Sequence, residues 1–272
     1  MREGVKIGEI KKALKRNKKL VTEGSTFGKS LNQTEGTWPV YDSDLSDFWL
    51  TFRDTLPVES NASEFSVNSI KSFKTYIEKS VHSSENQEAK KTITAVEFGG
   101  PGSKLFFDLE PIFTKTVGVC LKDIRNSEQK ERDEIHHHNV IEGDIMDVVN
   151  NSVLFEKIKG ELGTDKIDFI ISRMAGPLNS IDKNPAILDR LIRDWYEMLN
   201  ENGLLLVQFY HLPEKGISNQ GKQTIDIIRR WVKAVTEEFP DMEIRVGERA
   251  VRINKKAESP ETLPNAVQLN LK

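Results

Sequence analysis

What this sequence has little of narrows its class before any motif is read. A single cysteine, Cys120, in 272 residues excludes an intramolecular disulfide and a cysteine-rich zinc site, and fits a reducing compartment. No run approaches the ~20 apolar residues that cross a bilayer. The first residues also lack the apolar core of a secretory signal, so a soluble cytoplasmic protein with no membrane span is expected. Charge of one sign is scarce too: 39 Lys and Arg face 42 Asp and Glu, and the formal net charge of -3 gives no whole-chain preference for a polyanion. Any basic surface has to be local.

What is present becomes regular from about residue 91. Short Val- and Ile-rich runs at 93–98, 116–121, 138–142, 166–172 and 203–210 alternate with segments of helical period, which predicts a parallel sheet covered by helices. Asn184 and Pro185 open one such helix and Gly203 follows it, with Ile187, Leu188, Leu191, Ile192, Trp195 and Leu199 on one stripe. Asp147 to Gly163 repeats the pattern through Val149, Val153, Leu154, Ile158 and Leu162, and residues 126–136 read as a polar helix at the sheet edge. Residues 220–239 place Ile225, Ile228, Trp231, Val232, Val235 and Phe239 on one face before Pro240. MEIRVGERAVRIN and AVQLNL follow with no helix between them, so the sheet is expected to close with an antiparallel pair.

The first 90 residues lack this rhythm and are expected to form an N-terminal extension, 1–90, ahead of a domain at 91–272. Seven Lys or Arg fall between positions 6 and 19. A solvated helix is the plainer reading of that arm, and an anionic partner, nucleic acid or membrane surface, is the sharper one. Trp38, Tyr41, Phe48, Trp49 and Phe52 read as anchors of this segment on the core, or as an acceptor pocket, and a helix is expected near 63–80. The run His136, His137, His138 reads as an exposed helix-to-strand junction. Consecutive residues on a strand or helix point apart and do not converge on one metal.

The chemistry is concentrated in TAVEFGGPGSKLFFDL, residues 94–109. A strand ends in Glu97 and Phe98, and Gly99, Gly100 and Gly102 follow. In an open parallel sheet, ligands bind beyond the carboxyl ends of the strands, and bare glycine backbone there admits close approach. A dinucleotide loop would read G-x-G-x-x-G and hold a pyrophosphate. Here the order is G-G-P-G beside an acid, which suits a cationic ligand and disfavours an NAD-dependent oxidoreductase.

At this point the chain resembles the class I S-adenosylmethionine-dependent methyltransferases, over about residues 91 to 271. The resemblance implies a Rossmann-like α/β three-layer sandwich. Its sheet would be seven-stranded and mostly parallel with an antiparallel C-terminal strand, and the helical extension would cap the acceptor site. It also implies S-adenosylmethionine as cofactor, contacted by Glu97, Phe98, Gly99, Gly100 and Gly102. Pro101 stands where the family's second loop glycine usually lies. Cys120 falls where the family's ribose-binding acid would be, and Asp123 is the available substitute; Asp144, with Ile145 beside it, matches the adenine-side acid. KIDFIISRMAGPL resembles the fourth motif, with Asp168 starting the strand and Ser172 to Ala175 facing cofactor and acceptor. Arg173, Tyr210 and His211 are the candidates for acceptor-side or catalytic roles. The family's N/D-P-P-Y motif for nucleobase amino groups is absent, so the methyl acceptor, small molecule or macromolecule, is left open. A methyltransferase-like regulatory protein without turnover is the alternative.

Overall fold

The computed structural model describes residues 43–57, 67–82, 92–123, 125–143, 145, 151–173, 188–209 and 219–264. Seven strands form one sheet: β1 Thr94–Phe98, β2 Lys115–Cys120, β3 His138–Glu142, β4 Ile167–Ser172, β5 Leu199–Gln208, β6 Glu243–Val246 and β7 Ala250–Asn254. Their order is β3-β2-β1-β4-β5-β7-β6. Strands β1 to β5 pair in parallel, and β7 runs antiparallel to both β5 and β6. The chain reverses direction across the sheet between β1 and β4, so the carboxyl ends of these two strands flank the crevice where ligands of such sheets bind.

Helices cover both faces because the central strands are buried on both. Ala95, Phe169, Ile171, Leu204 and Leu206 point to one face, and Val96, Phe98, Ile170, Leu205 and Val207 to the other, the period of two that a pleated strand imposes. On the second face lie α5 (Asn151–Leu162), α6 (Asp194–Met198, entered through a π-helical turn at Asp189–Arg193) and α7 (Asn219–Glu238). Their predicted stripes are buried there through Leu154, Ile158, Leu162, Leu188, Leu191, Ile192, Trp195, Ile225, Ile228, Trp231, Val232 and Val235. Val153 departs from its expected place and is 54% exposed, since Leu154 already fills the sheet side of that turn. Asp147, Val149, Asn184, Pro185 and Ile187 lie outside the described residues.

The first face is covered by α1 (Leu45–Phe52), α2 (Val67–His82) and α3 (Ser103–Asp108). Phe48, Trp49, Phe52, Phe73 and Ile77 are fully buried against Ala95, Phe169, Ile171 and Leu206. Helices α1 and α2 therefore pack on the same sheet as the strands that follow residue 90. Fully burying one such aromatic side chain is worth about 2–3 kcal/mol, enough to hold a short helix that would be marginal alone. Asp44 caps α1 by accepting from the Asp47 amide (3.1 Å) and pairs with Lys104 of α3 (3.2 Å). Trp38, Tyr41 and the basic arm at 6–19 lie outside the described residues.

Helix α4 (Ser127–Ile135) starts with a reciprocal capping box between Asn126 and Gln129 and borders β3, the edge strand. MEIRVGERAVRIN folds into both β6 and β7, because Gly247 to Arg249 make the turn between them; AVQLNL lies outside the described residues. Strand β5 starts earlier than its apolar run, at Leu199, with a register shift against β4 and a left-handed Asn202 (φ 63°) before Gly203. No helix among the described residues is long and apolar enough to cross a membrane.

Candidate functional site at the carboxyl ends of β1 to β4

The glycine loop is folded back onto β2. The Gly99 N–H donates to the Val119 carbonyl (2.8 Å) and Gly100 bridges Val119. Gly99 (φ 97°) and Gly102 (φ 71°) adopt left-handed backbone that glycine takes without strain. A Cβ on Gly100 would sit 2.5 Å from Glu97 Oε1, so the buried Glu97 carboxylate lies directly against bare backbone. Pro101 reaches β2 even more closely: a Cβ on Gly118 would stand 1.9 Å from the Pro101 carbonyl oxygen. The glycine within TVGVC was a visible signal of close backbone approach, and its partner is the loop of the next strand along.

His138 completes this contact, and sequence reasoning missed it. Rather than belonging to an exposed junction, it is 4% exposed, because it opens β3 with its ring turned inward under the loop. Its Nε2 lies 2.6 Å from the Pro101 carbonyl and its Nδ1 2.7 Å from Thr116 Oγ1. A carbonyl only accepts, so Nε2 carries the proton and Nδ1 accepts from the threonine hydroxyl. Burial lowers its pKa to about 4, against the opposing pull of the Pro101 bond and Asp133, so the ring is neutral near pH 7. His136 instead pairs with Glu110 at the surface, and no group of three metal-ligating side chains converges among the described residues.

Beside the loop, Ser103 of α3 hydrogen-bonds Asp133 of α4, whose Oδ2 also accepts from Arg125 Nη1 (2.8 Å). Arg125 forks onto Asp123 as well, Nε to Oδ1 and Nη2 to Oδ2, each at 3.0 Å. Burial pushes Asp123 up, but these bonds outweigh it and hold the carboxyl below its ordinary range. Both Asp123 oxygens are thus engaged. On the neighbouring strand Glu142, register partner of Cys120, is exposed and uses Oε1 to accept the Asp123 amide (2.8 Å). Burial, then Asp123 and Glu142, push the Cys120 thiol up to about 12, with Glu97 adding to the same negative field. The thiol stays protonated, and the edge formed by β1 to β3 favours positive charge.

The structure brings Glu97, Gly99, Gly100, Gly102, Asp123 and Ser172 to one edge of the sheet. Phe98 contributes backbone only, since its ring is buried and stacked on Trp195 with centroids 4.5 Å apart. Ile145 packs against the core of the second face. Arg173 at the end of β4 is held by the N-terminal segment: it bonds Ser43, pairs with Asp47 (3.4 Å) and lies over Phe48. Asp168 sits at the opposite, amino end of β4, where Oδ2 accepts from the Thr94 amide (2.9 Å) and Oδ1 from Asn200 (2.7 Å), so it ties three strands together away from the crevice. Asp144, Ala175, Tyr210 and His211 lie outside the described residues.

This strand order, with its reversed seventh strand, makes the fold Rossmann-like in the manner of the class I S-adenosylmethionine-dependent methyltransferases. No family model matches the chain, and neither does any curated protein. Among solved structures it is similar to the plantazolicin methyltransferase BpumL in complex with SAH, at 10% identity and TM-score 0.43, covering 93% of this chain and 100% of that one. It is also similar to an O-methyltransferase family protein from Burkholderia thailandensis, at 11% identity and TM-score 0.37, covering 93% and 72%. A third is the MycE methyltransferase from the mycinamycin biosynthetic pathway, at 12% identity and TM-score 0.37, covering 68% and 46%. The chain spans about half the length of MycE, DesVI and KedS8. These scores are low, so the function is read from the chain's own geometry.

Two features of that geometry bear on a bound ligand. Ser172 is fully buried at the carboxyl end of β4, and its Oγ has no hydrogen-bond partner among the described residues. A hydroxyl left so costs about 1–3 kcal/mol unless a ligand engages it. At Gly100 the Glu97 carboxylate itself fills the space that a side chain would take.

Proposed function

We propose that the chain is an S-adenosylmethionine-dependent methyltransferase acting by in-line displacement on an acceptor of undetermined class. The buried Glu97 carboxylate against the bare Gly100 backbone, at the carboxyl end of β1, is the observation that carries this reading. A negative group at that place repels a pyrophosphate and attracts a cation, which separates the reading from that of a dinucleotide oxidoreductase.

In this reading Glu97 and the Gly99–Gly102 backbone hold the amino-acid part of the cofactor. Exposed Glu142, at the end of β3, is better disposed than the Arg125-bound Asp123 to accept from a ribose hydroxyl, and Ser172 stands at the end of β4. Bound S-adenosylmethionine supplies an activated methyl group and a neutral thioether leaving group. The protein's part is then alignment of the acceptor and exclusion of water. Arg173, by fixing Ser43 and Asp47 at the end of β4, holds the start of α1 beside the crevice, where the residues before it would cap the acceptor.

Transfer of labelled methyl from S-adenosylmethionine to a cell extract tests the proposal, with the labelled fraction then separated by size and by protease and nuclease sensitivity. Incorporation that Gly100→Val abolishes supports it and gives the acceptor's class. Binding of S-adenosylhomocysteine with no incorporation into any fraction would move the reading to a cofactor-binding protein without turnover.

A further inference from the structure

We propose that His138 is a positioning residue for the glycine loop: as a neutral Nε2–H donor it clamps the Pro101 carbonyl onto β2 and thereby sets ligand affinity. The inference rests on the reading of the loop as the cofactor site, and extends it to a side chain two strands away.

Four observations converge on this role. Proline has no N–H, so the carbonyl is the only backbone polar group Pro101 has, and it is buried. The Nε2 of His138 lies 2.6 Å from it. Thr116, on the strand between, fixes the other ring nitrogen, so the ring can neither flip nor change tautomer without losing a bond. Gly118 lets the loop settle until its carbonyl occupies the place of a Cβ, and a Cβ on Gly102 would stand 3.2 Å from the ring. The loop thus rests on a floor made of Gly118 and a latch made of His138. Gly99 is left exposed and Gly100 stays over Glu97. A proline where a glycine would give the loop freedom is accommodated because the loop is held from below.

The charged groups facing the ring are Asp133 and Arg132 of α4 and Arg125 before it, which act in opposite directions. Protonation of Nδ1 would reverse the bond to Thr116, with Nδ1–H donating to the hydroxyl oxygen, while Nε2–H keeps its bond to the Pro101 carbonyl.

The test combines a spectrum with two substitutions. Long-range ¹H–¹⁵N correlation on the wild-type chain is expected to show His138 protonated at Nε2 and unchanged from pH 7.5 to 5.5. Calorimetry is expected to show S-adenosylhomocysteine binding weakened at least about tenfold, or about 1.4 kcal/mol, in His138→Leu. In His138→Gln, whose amide reproduces the Nε2 donor, it should stay within about threefold of wild type. An Nδ1–H tautomer, or His138→Leu binding as wild type does, overturns the clamp; so does an equal loss in both variants, which marks a role in packing alone. Should His138→Leu fail to fold, the tautomer and the Gln variant still decide. Wild-type protein that shows the Nε2–H form and binds no S-adenosylhomocysteine overturns the functional reading and the link to affinity.

Discussion

The two ends of β4 carry polar side chains of equal burial and opposite condition. Asp168 at the amino end is 4% exposed and accepts from Thr94 and Asn200, whereas Ser172 at the carboxyl end is fully buried and its hydroxyl has no partner among the described residues. The same contrast runs across the sheet. Its amino edge is cross-tied between strands, while its carboxyl edge presents an exposed Gly99, a bare Gly100 over a carboxylate, and an exposed Glu142. Buried polar groups are normally satisfied, so we take the carboxyl edge, where Ser172 Oγ has no partner among the described residues, as the ligand-bearing edge. The amino edge should answer in stability and the carboxyl edge in affinity.

Gly118→Ala is the severest test, because it touches the floor on which the loop rests. Its Cβ would overlap a backbone carbonyl, and we expect a loss of more than about 3 kcal/mol in urea unfolding together with loss of S-adenosylhomocysteine binding. Tolerance of this change would mean the loop does not lie on β2. Asp168→Ala comes next, with about 3 kcal/mol lost by orphaning the Thr94 amide and Asn200. Ligand affinity of the protein that remains folded should not change, and a selective loss of affinity would erase the distinction between the edges.

Acidification acts on His138 through its lowered pKa. Its folded pKa, about 4, lies below the ordinary 6.5, so between these values the unfolded chain binds the extra proton and stability rises with pH. Going from pH 6.5 down to 5 should therefore remove about 2 kcal/mol, at about 1.4 kcal/mol per pH unit, and His138→Gln should flatten that part of the profile. An unchanged profile in the variant would place the dependence elsewhere. Ser172→Ala has the smallest effect expected on stability, within about 0.5 kcal/mol or slightly favourable, because it removes a hydroxyl with no partner. It should nonetheless weaken S-adenosylhomocysteine by about three- to tenfold, and unchanged affinity would show that Ser172 does not face the ligand.

Most of the sheet was legible because buried parallel strands write themselves as short apolar runs, and the stripes through Trp195 and Trp231 gave the helices that cover one face. The other face was harder to read. Helices α1 and α2 lie far in sequence from the strands they cover, and Phe48, Trp49 and Phe52 say that they are buried without saying against what. At the site, Glu97 and its glycines could be found because close approach requires glycine. Which carboxylate stays available could not, since Asp123 and Glu142 differ only in that Arg125 folds back on the first. The His138 latch depends on a contact 37 residues away, between a strand start and a proline carbonyl, and no local pattern encodes it.

Calorimetric titration of S-adenosylhomocysteine into the wild-type chain and into Gly100→Val tests the central claim most directly. The account predicts one-site binding to the wild type and none to a folded Gly100→Val, whose side chain would stand where Glu97 meets the loop. Equal binding by both, or a wild type that binds NAD and not S-adenosylhomocysteine, would contradict it.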